Sequence, residues 1–231
     1  MNQIVTKGIV LSRVNYGEAD RIITVLTPRH GKLSLMARGV RKPKSKLAGG
    51  IELFSVSSLT YTPGKGSVGT LISSRLEKHY GQIVKFMPRV QLGYDLLKIL
   101  DKATEAETEP AYFELLQEVF AVLNNPMVDV KLVRLWFYVQ LLTLAGHQPN
   151  LTSDSTGTAL SPLGMYLFDP ANGTFIPKLQ GKYRANHIKF LRLIVRGLTP
   201  ERLQQVQDSP QLTADLLPIM TTMLQTYIRV Q

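Results

Sequence analysis

The chain has 231 residues, with 27 Lys and Arg against 17 Asp and Glu, a formal net charge of +10 at pH 7, and no cysteine. The missing cysteines exclude disulfides, thiolate zinc sites, iron–sulfur clusters and cysteine nucleophiles, while the length allows one or two domains with a real core. There is no signal-like opening segment and no run near the roughly 18 apolar residues of a membrane span, so a cytoplasmic protein with no membrane partner is expected.

The excess charge is concentrated: residues 1–80 hold 13 of the cations and only 4 acidic residues. This front third reads as strands. Residues 4–12 are β-branched, with Gly8 marking a bulge or bend, and residues 20–27 follow a turn at Gly17. Pro28 and Gly31 suit a tight hairpin into a strand at 33–38. Residues 51–62 make the clearest strand, and 69–78, after the turn at 63–66, the fifth. Five short strands without a long helix predict a five-stranded Greek-key OB-fold barrel over 1–80, with an SH3-like barrel as the structural alternative.

From residue 81 to 231 the apolar spacing turns helical, so the whole is expected to be α+β. Helices are predicted over 83–103, 111–123 and 130–144. Pro110 stands at or near the second start, and Asp129 and Gly146 are placed to begin and end the third. Residues 147–182 form an irregular lobe, with a small hairpin at 165–168 and 174–177 turning through Asn172-Gly173. Helices near 186–196, 200–206 and 213–228 follow, the second with Thr199 as cap and Pro200 in its first turn.

One segment stands apart. Residues 29–46, R-H-G-K-L-S-L-M-A-R-G-V-R-K-P-K-S-K, hold seven cations and no acid. A sheet that projects such a loop offers a cationic surface to a polyanion, nucleic acid being the obvious class. The candidate phosphate contacts are Lys32, Arg38, Arg41, Lys42, Lys44 and Lys46, with Arg13, Arg21 and Arg29 as weaker ones; Tyr16 and Tyr61, at strand ends, are candidates for base stacking. Gly39 and Pro43 oppose a helix here, so the loop is expected to move until a ligand orders it. Glu18 and Asp20 read as a turn that pairs with Arg21 or Arg13. The four histidines, His30, His79, His147 and His187, show no metal-ligand spacing, and no phosphate-binding loop or G-x-S-x-G occurs. A non-enzymatic protein without cofactor is expected.

The run from Gly8 to Ser55, with Y-G-E-A-D-R-I, the G-K-L hairpin exit and A-R-G-V-R-K-x-x-S-K in combination, resembles the RecO family of recombination mediators. The resemblance implies binding of single- and double-stranded DNA and annealing of complementary strands. It also implies work with RecR to load RecA onto strands coated by single-strand-binding protein, SSB. Contact with the acidic SSB tail would fall on the helical part, where Lys131, Arg134, Lys189, Arg192 and Arg196 are available cations. It places the protein at the nucleoid. Many family members carry a four-cysteine zinc site in the region matching A-G-H-Q-P-N-L-T-S-D-S-T-G-T-A-L; this chain has no cysteine there, so zinc is not expected and packing must hold the lobe. The alternatives are an RNA-binding or ribosome-associated OB-fold protein and, more remotely, a metal-dependent nuclease.

Overall fold

The computed structural model describes residues 3–106 and 108–228. By its internal contacts the chain divides into two compact units, Met1–Asn124 and Asn125–Gln231.

The first unit is built on five strands: β1 (Ile4–Tyr16), β2 (Asp20–Leu26), β3 (Lys32–Ala37), β4 (Ser55–Thr62) and β5 (Val68–His79). They close a barrel in the order β1-β2-β3-β5-β4. β1 pairs antiparallel with β4 through its first half and with β2 through its second, and a short parallel contact of β3 with β5 completes the ring. This is the OB arrangement, not the SH3-like one. β1 can serve two neighbours because its register shifts between Val10 and Ser12, a bulge that bends the strand. Gly8 is not that bulge. It permits close approach instead, since a Cβ there would lie 2.5 Å from Val25 Cγ1 and 2.7 Å from Leu59 Cδ1.

Inward-facing Val10, Ile23, Val25, Leu35, Ala37, Leu59 and Leu71 fill the barrel. Two bounds differ from the pattern-based reading. β1 runs on to Tyr16, and β4 begins only at Ser55 because Ala48–Ile51 forms a 3-10 turn that buries Ile51 against the barrel core. α1 (Met87–Ala103) and α2 (Pro110–Leu123) complete this unit, which therefore extends past residue 80. Phe54 joins them to the strands, its ring edge-on to Tyr94 of α1 and Phe120 of α2.

In the second unit, α3 (Val130–Leu144) has the expected bounds. Asp129 accepts a hydrogen bond from the Leu132 N–H at 2.9 Å, and Gly146 takes a left-handed φ of +78° just past the end. α3 is largely buried; Trp136 Nε1 donates to Leu198 O and Gln140 Nε2 to Ile194 O. The hairpin is β6 (Met165–Asp169) and β7 (Thr174–Pro177), and a two-residue strand, β8 (Tyr183–Arg184), makes a third partner beside β6. α4 (Ala185–Val195), α5 (Pro200–Leu203) and α6 (Ser209–Ile228) follow. Thr199 does precede α5, but its side chain makes no capping hydrogen bond.

The lobe before α4 is held by rings. Phe175 is fully buried and meets Tyr166, Phe168 and Tyr183 edge-on. Asp154 ties a turn by accepting from the Thr156 hydroxyl and the N–H groups of Thr156 and Thr158. The Thr156 hydroxyl in particular keeps this carboxyl below the usual aspartate range. Thiolate ligands are absent from the sequence, and no cluster of three His, Asp or Glu side chains fit for a metal occurs among the described residues. The residues present therefore do not fit the zinc site of the resemblance.

Asp215 of α6 is a hub that joins α4 and the residue just before β8. It accepts from Lys182 Nζ at 2.8 Å, from Gln211 Nε2 at 2.9 Å and from His187 Nε2 at 3.5 Å. His187 Nδ1 accepts the Arg184 N–H, so the neutral ring carries its proton on the side of Asp215. Lys182 above all, then Gln211, hold the Asp215 carboxyl down to about 2 from an ordinary 3.8. A carboxyl depressed in the fold stabilises it above its unfolded value and loses that contribution as pH falls through the folded one. Asp215→Asn is thus expected to unfold at lower denaturant than the parent at pH 7. That gap should narrow as pH drops from 4 toward 2, which denaturant midpoints across that window would check. Gly8→Ala, which forces Val25 and Leu59 to shift, is expected to cost about 1–3 kcal/mol of stability by the same measurement at pH 7.

Candidate nucleic-acid interface

β2 and β3 form a hairpin, so the β1–β2 turn and the exit from β3 lie at the same end of the barrel. The loop that leaves β3 is fixed there. Gly39, at φ +63°, turns the chain; its N–H donates to Asp20 Oδ1 at 2.6 Å. The Arg41 N–H donates to Ala19 O at 2.9 Å, and Arg41 Nη1 to Gly17 O at 3.3 Å. Val40, 4% exposed, enters the barrel core; Leu47 and Ala48 pack against it from the far end of the loop. Ser74 Oγ of β5 donates to Leu47 O. These contacts anchor the loop at both ends.

Those apolar anchors leave the cations outside. Arg38, Arg41, Lys42, Lys44 and Lys46 are all exposed, and none has an ion pair among the described residues. The other candidates do not join them. Lys32, at the opposite end of β3, donates to Asp101 O at 2.6 Å and pairs with Asp101 Oδ1 at 3.3 Å, so it ties the barrel to the end of α1. Arg13 pairs with Glu52 at 3.2 Å. Arg21 Nε donates to Asn15 Oδ1, and Arg29 is exposed in the β2–β3 turn at the far end from the loop. The expected pairing of Glu18 or Asp20 with Arg13 or Arg21 is replaced by these contacts, and Asp20 serves as the clamp of the loop.

Of the two tyrosines, Tyr61 is 5% exposed and belongs to the barrel core, so its ring is closed to a stacking ligand. Burial pushes its phenol pKa up. Leu59 two residues earlier shares its inward direction, the alternation that points Tyr61 inside. Tyr16 is 55% exposed, next to the Gly17 carbonyl that holds Arg41. In the helical unit Lys131, Lys189 and Arg196 are exposed, Arg134 Nη1 donates to Tyr138 OH, and Arg192 donates twice to Leu151 O.

The model for the recombination protein O N-terminal region matches residues 1–80, the whole barrel with its loop, and that for the C-terminal region matches 94–231. The chain belongs to the RecO family. Among its relatives is the DNA repair protein RecO of Halalkalibacterium halodurans, 34% identical over 146 residues, 63% of this chain and 57% of that protein. The DNA repair protein RecO of Moorella thermoacetica is 28% identical over 235 residues, 96% of this chain and 85% of that one. The matched stretch thus spans less than two thirds of the first relative's length and most of the second's.

In this RecO-family barrel, Asp20 is an acid inside a cationic site, and the two roles of its carboxylate oppose each other. As a charge it repels phosphate; as an acceptor it holds Gly39 and with it the loop. Asp20→Asn keeps an acceptor and removes the charge, so affinity for a single-stranded oligonucleotide is expected to rise. Asp20→Ala removes both, and affinity is expected to fall below that of the Asn variant despite equal charge. Fluorescence anisotropy on the two variants separates the roles.

Proposed function

We propose that the chain is a DNA-binding mediator of repair and recombination that acts through phosphate neutralisation and not through catalysis. The observation that carries this reading is the anchored loop with five exposed cations and no ion-paired acid. Membership of the RecO family supports the process, and the relatives named as DNA repair proteins agree with it. Each phosphate met by Arg or Lys releases condensed counterions, a gain indifferent to sequence and available from single and double strands alike. Neutralising two backbones lowers their mutual repulsion, and base pairing then completes annealing. No nucleotide, metal or catalytic acid is required for that step.

The fuller role is cooperation with RecR to load RecA onto strands coated by SSB, at the cytoplasmic nucleoid. An acidic SSB tail would find cations on the helical unit; of the five candidates Lys131, Arg134, Lys189, Arg192 and Arg196, the exposed ones are Lys131, Lys189 and Arg196. No helix among the described residues is long and apolar enough to cross a membrane.

The test is the quadruple variant of Arg41, Lys42, Lys44 and Lys46 to Ala. If about five phosphates are neutralised, log affinity for a single strand falls with log salt at a slope near about −3.5. The variant is expected to bind weakly across sequences with a slope shallower by about 2.8, and to anneal complementary strands slowly. Unchanged affinity and slope in a variant with parental thermal stability would refute the assignment. RNA that displaces DNA at equal length would move the reading to an RNA-binding protein.

A further inference from the structure

β5 outruns its neighbours. On one side it pairs with β4 from Thr70 to His79. On the other it meets β3 only through Val68, Gly69 and Thr70. The loop after β3 then reaches Ser74, whose hydroxyl donates to Leu47 O and against which Gly50 packs. Beyond that point Arg75, Leu76, Glu77, Lys78 and His79 are all exposed. Among the described residues, no backbone hydrogen bond from an element other than β4 reaches them. Alternate residues of an antiparallel ladder turn their N–H and C=O groups away from the partner strand, so this end of β5 offers unpaired backbone groups on which another strand can add. The register with β4 shifts between Val56 and Ser57, a bulge at Glu77 that keeps the free edge short.

A groove lies beside this edge. Lys78 and the α2 residues Glu114, Gln117, Glu118 and Ala121 line about 280 Å³ of space. Glu114 and Glu118 are exposed, and neither has an ion pair among the described residues. They stand one helical turn apart, where like charges oppose each other, and α2 carries no Lys or Arg to offset them. Lys78 sits with its Nζ over the Tyr80 ring, 5.0 Å from the centroid. In a chain of net charge +10, two unpaired carboxylates beside an open strand edge are a local exception.

We infer that this groove takes an extended, basic segment of a partner protein, added to β5 as a further strand with its Lys or Arg side chains on Glu114 and Glu118. The spacings agree. Residues four apart on a helix are about 6 Å apart along its axis, and alternate residues of an extended chain about 6.7 Å. Main-chain pairing supplies affinity, and the carboxylates select the side chains. The same carboxylates repel a phosphate backbone, so nucleic acid is not the occupant. Nor is the basic loop of a second copy, because that loop is folded onto its own barrel by Asp20 and Ser74. The inference goes beyond the DNA-binding reading and does not depend on it, since none of the five exposed loop cations lines the groove.

The test uses short labelled peptides in fluorescence anisotropy at low salt. One alternates lysine with valine, the second is the same peptide with its backbone amides N-methylated, and the third alternates glutamate with valine. The parent protein is expected to bind the first at least about ten-fold more tightly than either of the others. Glu114→Gln together with Glu118→Gln should weaken binding of the first peptide about ten-fold without loss of thermal stability, because the pair repels itself in the parent. Hydrogen exchange should show the bound peptide slowing the amides of residues 75–79. Equal binding of the N-methylated peptide, or exchange at 75–79 that the peptide leaves unchanged, overturns the added strand. Affinity that the two Gln substitutions do not alter overturns the groove. Self-association of the parent in sedimentation, abolished by the same substitutions, would assign the groove to a second copy and overturn the partner segment.

Discussion

Five like charges within nine residues repel one another, so something else must hold them together. At a separation of about 8 Å in water each neighbouring pair costs roughly 0.5 kcal/mol before salt screening. Val40 and Ile51 are fully buried against the barrel end and Leu47 partly so. Burying a side chain of this kind contributes about 1.5–3 kcal/mol. The apolar contacts outweigh the repulsion, and the clamp from Asp20 to Gly39 sets the direction in which the loop leaves the sheet. The cationic surface is thus a by-product of a hydrophobic plug: the residues that close the barrel are interleaved with those that face solvent.

Barrel topology makes that plug possible. Because β1, β2 and β3 are joined as consecutive hairpins, the turn at 17–19 and the loop after β3 meet without any long connection. The same topology sends Lys32 and Arg29 to the other end of the ladder. Charge clustering in sequence and charge clustering in space therefore coincide for residues 38–46 and part company for the rest. A window of positive residues reads as one patch only while the chain stays on one side of the sheet.

Much of this was legible in the residues. Asp129 and Gly146 bracket α3 because capping and left-handed turns are local requirements, and Asn172-Gly173 marks its hairpin for the same reason. The run of β-branched segments is enough to predict the barrel. What escaped depends on distant partners or on very short elements. Arg13 and Lys32 look free until Glu52 and Asp101 are brought to them, 39 and 69 residues away in sequence. Tyr61 was misplaced although Leu59 shares its parity, because strand ends read as exposed by default. β8, two residues long, has no periodicity to read.

The ring-packed lobe ahead of α4 has a chemical consequence. Where thiolates gather a metal, the same sulfur atoms are open to alkylating agents and to thiol-directed oxidants, and their loss undoes the structure they organise. Here the joining is done by aromatic edges and carboxylates, groups that such reagents leave alone. The lobe should keep its architecture under reagents directed at thiols.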